Sequence, residues 1–182
     1  ERTRLILWEM ADMLSLDLVD KGVVTNQIVL TVGYDKESLA DGHYTGEVVC
    51  DHYGRKIPKH AHGTQNLGRH TSSTRKIIDA TMALFDRIID KTLLARRLNL
   101  TACNVIREED IPEIESYEQI SLFDMAEAAN ADNNAEEKER ALQEAMLLIK
   151  HKYGKNAILK GTNYTEGATA RERNRSIGGH KA

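Results

Sequence analysis

The sequence predicts an α+β fold: an antiparallel-rich β-sheet of three to four strands with two helices packed on one face. An acidic linker and a C-terminal helix with a basic tail are expected to follow. Apolar residues recur at helical spacing over residues 3–22 and 71–90, whereas residues 23–34 are β-branched at strand length and residues 93–106 alternate between apolar and polar. The order helix, three strands, helix, strand is typical of a sheet that carries its helices on one side.

The composition is that of an ordinary globular protein. The 182 residues are 41% apolar and 29% charged, and no apolar run approaches the roughly 18 residues that a membrane span needs. We therefore expect no contact with a membrane. The two cysteines, Cys50 and Cys103, have no CxxC spacing, which indicates a reducing compartment, by default the cytoplasm. The chain starts without an initiator Met or a signal-peptide pattern, so we expect a piece of a longer protein.

The first helix is predicted over residues 3–22, with Gly22 placed to end it as a C-cap. Its apolar stripe consists of Leu7, Met10, Leu14 and Leu18. The strand of residues 23–34 follows. One face of this strand carries Ile28, Leu30 and Val32, and the other carries Gln27, Val29 and Thr31.

Two further strands are predicted before the second helix. Asp41 and Gly42 indicate a turn ahead of a candidate strand at residues 43–54. Pro58 cannot donate to a central ladder, so a third strand is expected in residues 56–65, with the proline at its start or at a sheet edge.

The second helix is predicted to begin at an N-cap among Thr71, Ser72 and Ser73. Its apolar stripe consists of Ile78, Met82, Phe85 and Ile89. In the last strand Leu98, Leu100 and Ala102 share one face. The sheet face turned away from the helices would then carry Thr31, Arg97, Asn99 and Thr101. A bare, polar and basic sheet face is suited to binding a polyanion.

The domain organisation follows the distribution of charge. Residues 1–107 form the predicted domain, and residues 108–134 form a linker within the most acidic part of the chain. Between residues 107 and 140 twelve acidic side chains stand against three basic ones. Residues 135–182 are expected to be a helix ending at Gly154 and a basic tail. Four tail cations are candidates for additional contacts with a polyanion: Lys160, Arg171, Arg173 and Arg175.

A basic patch is concentrated before and within the start of the second helix. Between residues 52 and 78 all six charged side chains are positive, and four histidines accompany them. Positive charge, small hydroxyl residues and a helix N-terminus are the parts of a site for phosphate backbone. The alternative is a solvated surface with an ordinary helix cap.

Two other functions are considered. The i, i+2 pairs formed by Cys50 with His52 and by His60 with His62 would make a zinc-binding regulatory domain if they met on neighbouring strands. A pure protein-interaction module would instead bind an acidic partner, such as its own linker, on the basic face. DNA binding that disappears when Arg69 and Arg75 are changed to Glu would argue against that module. The chain has no GxSxG, phosphate-binding glycine loop or isolated carboxylate pair, so we expect no catalysis by these residues alone.

Four segments together carry a resemblance to a known family: "DHYGRKIPKHAHGT", "TSSTRKIIDATMALFDRI", "RRLNLTACNV" and the tail ending in "IGGHKA". They are similar to the C-terminal third of UmuC-like, Y-family translesion DNA polymerases of low-GC Gram-positive bacteria. The resemblance implies a little-finger domain, which grips the template and primer backbones during SOS repair with the bare face of a four-stranded sheet. It implies DNA contacts by Lys56, Lys59, His62, Thr64, Arg69, Ser72, Ser73, Arg75 and Arg97. The catalytic palm and its divalent metal, such as magnesium, would lie outside these residues, which need no cofactor of their own.

Within this family the segment "QISLF" resembles the pentapeptide that bacterial polymerases insert into the sliding clamp. The residues concerned are Gln119, Ile120, Ser121, Leu122 and Phe123. The alternative is an apolar staple folded back on the domain. The family's domain normally opens with a strand that precedes its first helix, and the chain begins at that helix. An exposed sheet edge is therefore expected, covered by a second copy of the chain or by the C-terminal region.

Overall fold

The computed structural model describes residues 1–40, 42–111, 125–177 and 180–181. The helices are α1 (Arg2–Asp20), α2 (Thr74–Ile88), α3 (Met125–Tyr153) and the short α4 (Ala170–Arg173). The strands are β1 (Val23–Tyr34), β2 (Val48–Cys50), β3 (Lys56–Pro58), β4 (Ala61–Thr71), β5 (Ala95–Cys103), β6 (Ile106–Arg107), β7 (Ser176–Ile177) and β8 (His180–Lys181). None of the described helices combines the length and the apolar character needed to cross a membrane.

The main sheet is antiparallel and is built around β1. Strand β1 pairs with β4 on one side and with β5 on the other, and β6 pairs with the start of β1. Within the described residues β4 and β5 are therefore the outer strands over most of the sheet. Neither edge is paired with a further strand in that part of the chain, although the Thr64 carbonyl of β4 accepts a hydrogen bond from Arg87 Nη2 at 2.8 Å.

Helices α1 and α2 pack together on one face of this sheet, which confirms the predicted α+β fold. The core joins Leu7 of α1, Ile28 and Leu30 of β1, and Ile77 and Leu84 of α2, all fully buried. The inward residues of β5 are packed against this core. The alternation predicted for β1 is confirmed, because each buried side chain between residues 28 and 34 is followed by a more exposed one. The helices therefore cover one face and leave the other to solvent.

The helix boundaries follow local signals. Gly22, with a φ of +63°, follows α1, and its N–H donates to the carbonyl of Val19. Ser73 is the N-cap of α2, and its hydroxyl accepts a hydrogen bond from the backbone N–H of Lys76 at 3.3 Å. Gly154, with a φ of +99°, follows α3 as predicted. Helix α3 begins earlier than residue 135, however, at Met125.

The middle strands differ from the prediction. The candidate strand at residues 43–54 contributes only β2, which pairs with β3 in a separate hairpin and not with the main sheet. The strand ends at Cys50 because Asp51 and Gly54 form a turn, in which Gly54 has a φ of +73° and donates to the carbonyl of Asp51. The strand predicted in residues 56–65 is divided: Pro58 is the last residue of β3 in the hairpin, and β4 begins at Ala61 as an outer strand of the main sheet. The proline was expected at the start or edge of a single strand, whereas it ends the short β3.

The C-terminal tail is anchored on α1 by a buried carboxylate. Glu9 is fully buried, and its Oε2 accepts hydrogen bonds from the backbone N–H groups of Thr169 and Ala170 at 2.9 and 3.0 Å and from Arg173 Nη2 at 3.2 Å. Its Oε1 accepts from Asn163 Nδ2 at 3.0 Å. Burial lowers the pKa of Arg173, and the charge of Glu9 opposes that shift. Such convergence of donors satisfies a charge that would otherwise be costly to bury.

A second acid of α1 holds another tail cation. Asp12, largely buried, accepts from Lys160 Nζ at 2.5 Å, and the same ammonium lies 5.3 Å from the centre of the Trp8 ring. Lys160 and Arg173 were candidates for contacts with a polyanion. The structure places both on carboxylates of α1, where they hold the tail on the domain.

Replacing Glu9 with Gln is expected to release the tail. The amide cannot accept from every donor at once and leaves the partly buried Arg173 without its counter-charge, a change that costs about 3 kcal/mol. Hydrogen exchange at the amides of Thr169 and Ala170 should accelerate accordingly. The control is Glu166→Gln, which removes an exposed charge from the same tail. Unchanged protection in the Glu9 variant would show that the tail is held by other contacts.

Candidate nucleic-acid interface

The sheet face opposite the helices is covered by polar residues in cross-strand rows. We call this surface the open face. Its rows, each read from β4 through β1 to β5, are His62, Thr31 and Asn99; Thr64, Val29 and Thr101; and Asn66, Gln27 and Cys103. Residues of the flanking strands in these rows are mostly exposed. Because successive side chains alternate between faces, every residue of these rows points away from the helices.

Arg97 extends the open face toward one end. It lies opposite Gly33 in the pairing of β5 with β1, and it is exposed. Asn99 and Thr101 are also exposed, whereas Leu98 and Leu100 pack toward the core. The predicted placement of Thr31, Arg97, Asn99 and Thr101 on one open, polar face is therefore confirmed. In the first row the Thr31 hydroxyl and His62 Nδ1 are 2.9 Å apart and share a hydrogen bond.

The two predicted lysines lie in and directly after β3, outside the rows of the open face. Lys56 is exposed on β3. Lys59, between β3 and β4, forms an ion pair with Glu47, and its Nζ is 2.6 Å from the carboxylate. Both side chains of that pair are at least half exposed, so the pair contributes little stability and its lysine can exchange partners.

The remaining predicted residues lie where β4 meets α2, and α3 covers that junction. Ser72 and Ser73 are buried. The Ser73 hydroxyl donates to Glu139 Oε2 at 2.6 Å, and the backbone N–H of Arg75 donates to Glu139 Oε1 at 2.9 Å. A carboxylate from α3 thus occupies the N-terminus of α2, where the helix dipole favours negative charge.

A second carboxylate of α3 engages the cations of the same junction. Glu136 Oε1 accepts from Arg69 Nη2 at 2.6 Å and also pairs with Lys76. Further along α3, the buried Gln143 donates to the carbonyl of Ser72 at 3.0 Å. A groove of about 690 Å³ runs along this contact and is lined by residues of both signs of charge.

The structure therefore divides the predicted DNA contacts into two groups. The open-face group consists of His62, Thr64 and Arg97 on the open face, together with the exposed Lys56 and Lys59 in and directly after β3. The covered group contacts α3 and consists of Arg69, Ser72, Ser73 and Arg75. The sequence places three α3 residues of this contact on one helix face but does not show what that face binds. Glu136, Glu139 and Gln143 recur at helical spacing, which places them on one face of a helix.

The zinc site considered from the sequence is not formed. His52 follows β2 in the turn and not on a strand, so it does not share a strand face with Cys50. His60 precedes β4, and its ring lies against that of His62 with the centroids 6.4 Å apart. No three metal-ligating side chains come together in the described part of the chain. The pairs fail to meet because the hairpin of β2 and β3 is separate from the main sheet.

The predicted clamp-binding segment falls outside the described residues. It comprises Gln119, Ile120, Ser121, Leu122 and Phe123.

Comparison with known proteins gives the family. Residues 1–122 match the model of the impB/mucB/samB family C-terminal domain. The chain is also 28% identical over 183 residues to the putative UV-damage repair protein UvrX of Bacillus subtilis strain 168. That alignment covers 100% of the chain and 35% of UvrX, so the chain spans about a third of the length of this relative. No solved structure matches the chain. The resemblance to UmuC-like proteins is confirmed, and the chain belongs to the impB/mucB/samB family, whose C-terminal domain it contains.

Proposed function

We propose that this chain is the DNA-binding and clamp-targeting C-terminal module of an error-prone Y-family polymerase that acts in translesion synthesis and SOS repair in the cytoplasm. The observation that carries the proposal is the open face, which a domain of this family presents as an uncovered array of polar side chains. The name of the relative, a UV-damage repair protein, is consistent with this role.

The chemistry of the open face suits the phosphate backbone better than base edges. The rows consist largely of short hydroxyl, amide and imidazole side chains, and Arg97 adds a cation at one end. Such groups bind phosphate oxygens from a flat surface. Reading a base sequence would need side chains that enter a groove on a projecting helix or ribbon. We therefore propose that the open face binds duplex DNA without regard to sequence, as a moving polymerase requires.

Nucleotide transfer belongs, in this proposal, to other parts of the longer protein. The chain spans about a third of its relative, and the divalent metal that supports phosphoryl transfer would be held elsewhere. Self-association through the edges formed by β4 and β5 is a further part of the proposal, supported by their outer position in the sheet.

Binding of a fluorescent primer–template by the 182-residue chain should fall steeply with salt. Counterions are released by cationic contacts, so the three cations of the open-face group, Lys56, Lys59 and Arg97, predict a loss of about fortyfold in affinity between about 50 and 200 mM salt, whatever the sequence. Arg97→Glu should weaken binding roughly tenfold and lower the salt slope by about 1. The control is Lys91→Glu, the same change of charge on the exposed turn after α2. Equal losses in both variants, or no binding at the lowest salt, would contradict the proposal.

The carboxylates of α3 should weaken DNA binding. Glu136 and Glu139 neutralise the cations and fill the helix N-terminus at the β4–α2 junction. Glu136→Gln together with Glu139→Gln should therefore tighten binding at about 50 mM salt by roughly tenfold, the effect of about one added phosphate contact.

The matched control for this pair is Glu137→Gln, which removes an exposed charge from the same turn of α3. An equal gain in DNA affinity in the control would show that the effect comes from net charge alone. Weaker binding in the double variant would mean that α3 holds the junction in its DNA-binding form.

The same contact favours a second candidate function. Arg69 and Lys76 already bind an acidic segment, here supplied by α3. A protein-interaction module, in which the covered group binds acidic protein segments, would retain this property. It predicts no salt-dependent affinity for DNA on the open face, so the titration above distinguishes the two.

Clamp targeting rests on the segment "QISLF". Leu122 and Phe123 are the proposed anchors in an apolar pocket of the clamp, and truncating such anchors commonly costs 2 kcal/mol or more each. The double variant Leu122→Ala, Phe123→Ala should therefore bind immobilised clamp roughly a thousandfold more weakly in a surface plasmon resonance assay. Ile114→Ala, in the same stretch of the chain, serves as the control. Unchanged clamp affinity together with a lower melting temperature would support the folded-back staple instead.

A further inference from the structure

The tip of the hairpin formed by β2 and β3 is held rigidly. The Asp51 carboxylate accepts hydrogen bonds from the backbone N–H groups of Tyr53 and Arg55, both at 2.9 Å. Its second oxygen accepts from Arg55 Nε at 2.7 Å and pairs with Nη2 at 2.6 Å. The side-chain hydrogen bond from Arg55 is the main reason that the pKa of Asp51 lies below its usual range. The carboxylate is therefore charged at neutral pH and fixes the turn.

This rigid turn presents an aromatic ring to solvent. Tyr53 is 79% exposed, although the Arg55 guanidinium lies 5.0 Å from its ring centre and the ring of His52 meets it edge-on at 5.4 Å. Core packing does not account for a tyrosine with this exposure. A ring held at the tip of a fixed turn is available for stacking at little cost in conformational entropy.

A cavity of about 550 Å³ lies between this tip and one end of the open face. Its walls include Tyr53 and Arg55 from the hairpin, His60 ahead of β4, and Arg97 and Asn99 from β5. The volume is within the range of small-ligand sites. The walls combine a π surface, cations and hydrogen-bonding groups, which are the components of sites for single-stranded nucleic acid.

We propose that Tyr53 and this cavity bind an unpaired nucleotide of the template, with the base stacked on Tyr53 and the adjoining phosphate contacting Arg97. Within a duplex the faces of a paired base are covered by its neighbours, whereas an unpaired base leaves a face free to stack on the ring. The cavity lies at the Gly33 end of β1, whereas the polar rows extend toward Gln27 at the other end. A duplex bound on the rows would therefore end near the hairpin, and the single-stranded extension of its template would continue there.

This inference rests on the proposed function for the orientation of the DNA, because a duplex on the open face determines where its single strand continues. The test compares two fluorescent ligands, a blunt duplex and the same duplex with an unpaired 5′ extension of the template. The 182-residue chain should bind the extended DNA about tenfold more tightly, the usual effect of one stacked base. Tyr53→Ala should abolish this preference and leave the affinity for blunt duplex unchanged, whereas Tyr53→Phe should retain it.

The matched control is Tyr164→Ala. Tyr164 is also exposed and has an arginine, Arg171, 5.2 Å from its ring centre, but it lies in the tail that packs on α1. This variant should keep the full preference. A direct readout is the fluorescence of 2-aminopurine in the extension, which stacking on Tyr53 should quench in the original chain but not in Tyr53→Ala.

The outcomes separate the two proposals. Binding of blunt duplex without any preference for the extension overturns the nucleotide site and leaves the open face standing. Loss of both affinities in Tyr53→Ala also overturns it, since the ring would then be a general contact or part of a protein surface. Failure to bind either DNA overturns both proposals. A Tyr53-dependent preference without binding of blunt duplex would support the nucleotide site and overturn the open face as a duplex site.

Discussion

The two-residue alternation of β1 is the constraint on which both faces of the sheet depend. Ile28 and Leu30 point into the core, and Val29 and Thr31, which alternate with them, form the middle of the open face. A shift of one residue in the pairing would place the apolar set in solvent and the polar set under the helices. Burial of the core residues therefore fixes the register, and the register in turn aligns the polar rows across three strands. The geometry of the candidate interface is a consequence of core packing on the opposite side.

Two sets of carboxylates hold the C-terminal part of the chain on the domain, and they differ in burial. Glu9 is fully buried beneath the tail, where water and salt do not screen its contacts. The side chains of Glu136 and its partner Arg69 are 28% and 44% exposed, so salt or a competing polyanion can weaken their pairing. The contacts of Glu9 therefore resist salt, whereas the ion pairs of Glu136 at the β4–α2 junction can be exchanged. This difference explains why similar ion pairs have different expected effects on binding.

Much of the fold follows from the sequence because its signals are local. Periodicity located α1, β1, α2 and β5, and Ser73 and Gly154 marked helix ends. The hairpin was missed because a turn centred on Asp51 interrupts a stretch of favourable strand composition.

The open face could also be predicted, since alternation alone assigns Arg97 and Asn99 to one side of β5. The contact of α3 with the β4–α2 junction could not be predicted. Ser73 and Glu139 are 66 residues apart in the chain, and no local pattern specifies that they meet. Glu9 and Asp12 likewise resemble the polar face of a surface helix, and only the packed tail shows that they are buried.

The hairpin makes the two ends of the open face different. A flat array of hydroxyl, amide and imidazole groups can hold a phosphate backbone but does not distinguish one end of a duplex from the other. Tyr53 and Arg97 are both at the end of the sheet where Gly33 lies, and the turn that carries Tyr53 is fixed by Asp51. An aromatic ring at one end and polar rows at the other make the surface asymmetric along β1. A junction between duplex and single strand has the same asymmetry, so it can satisfy both parts in only one orientation.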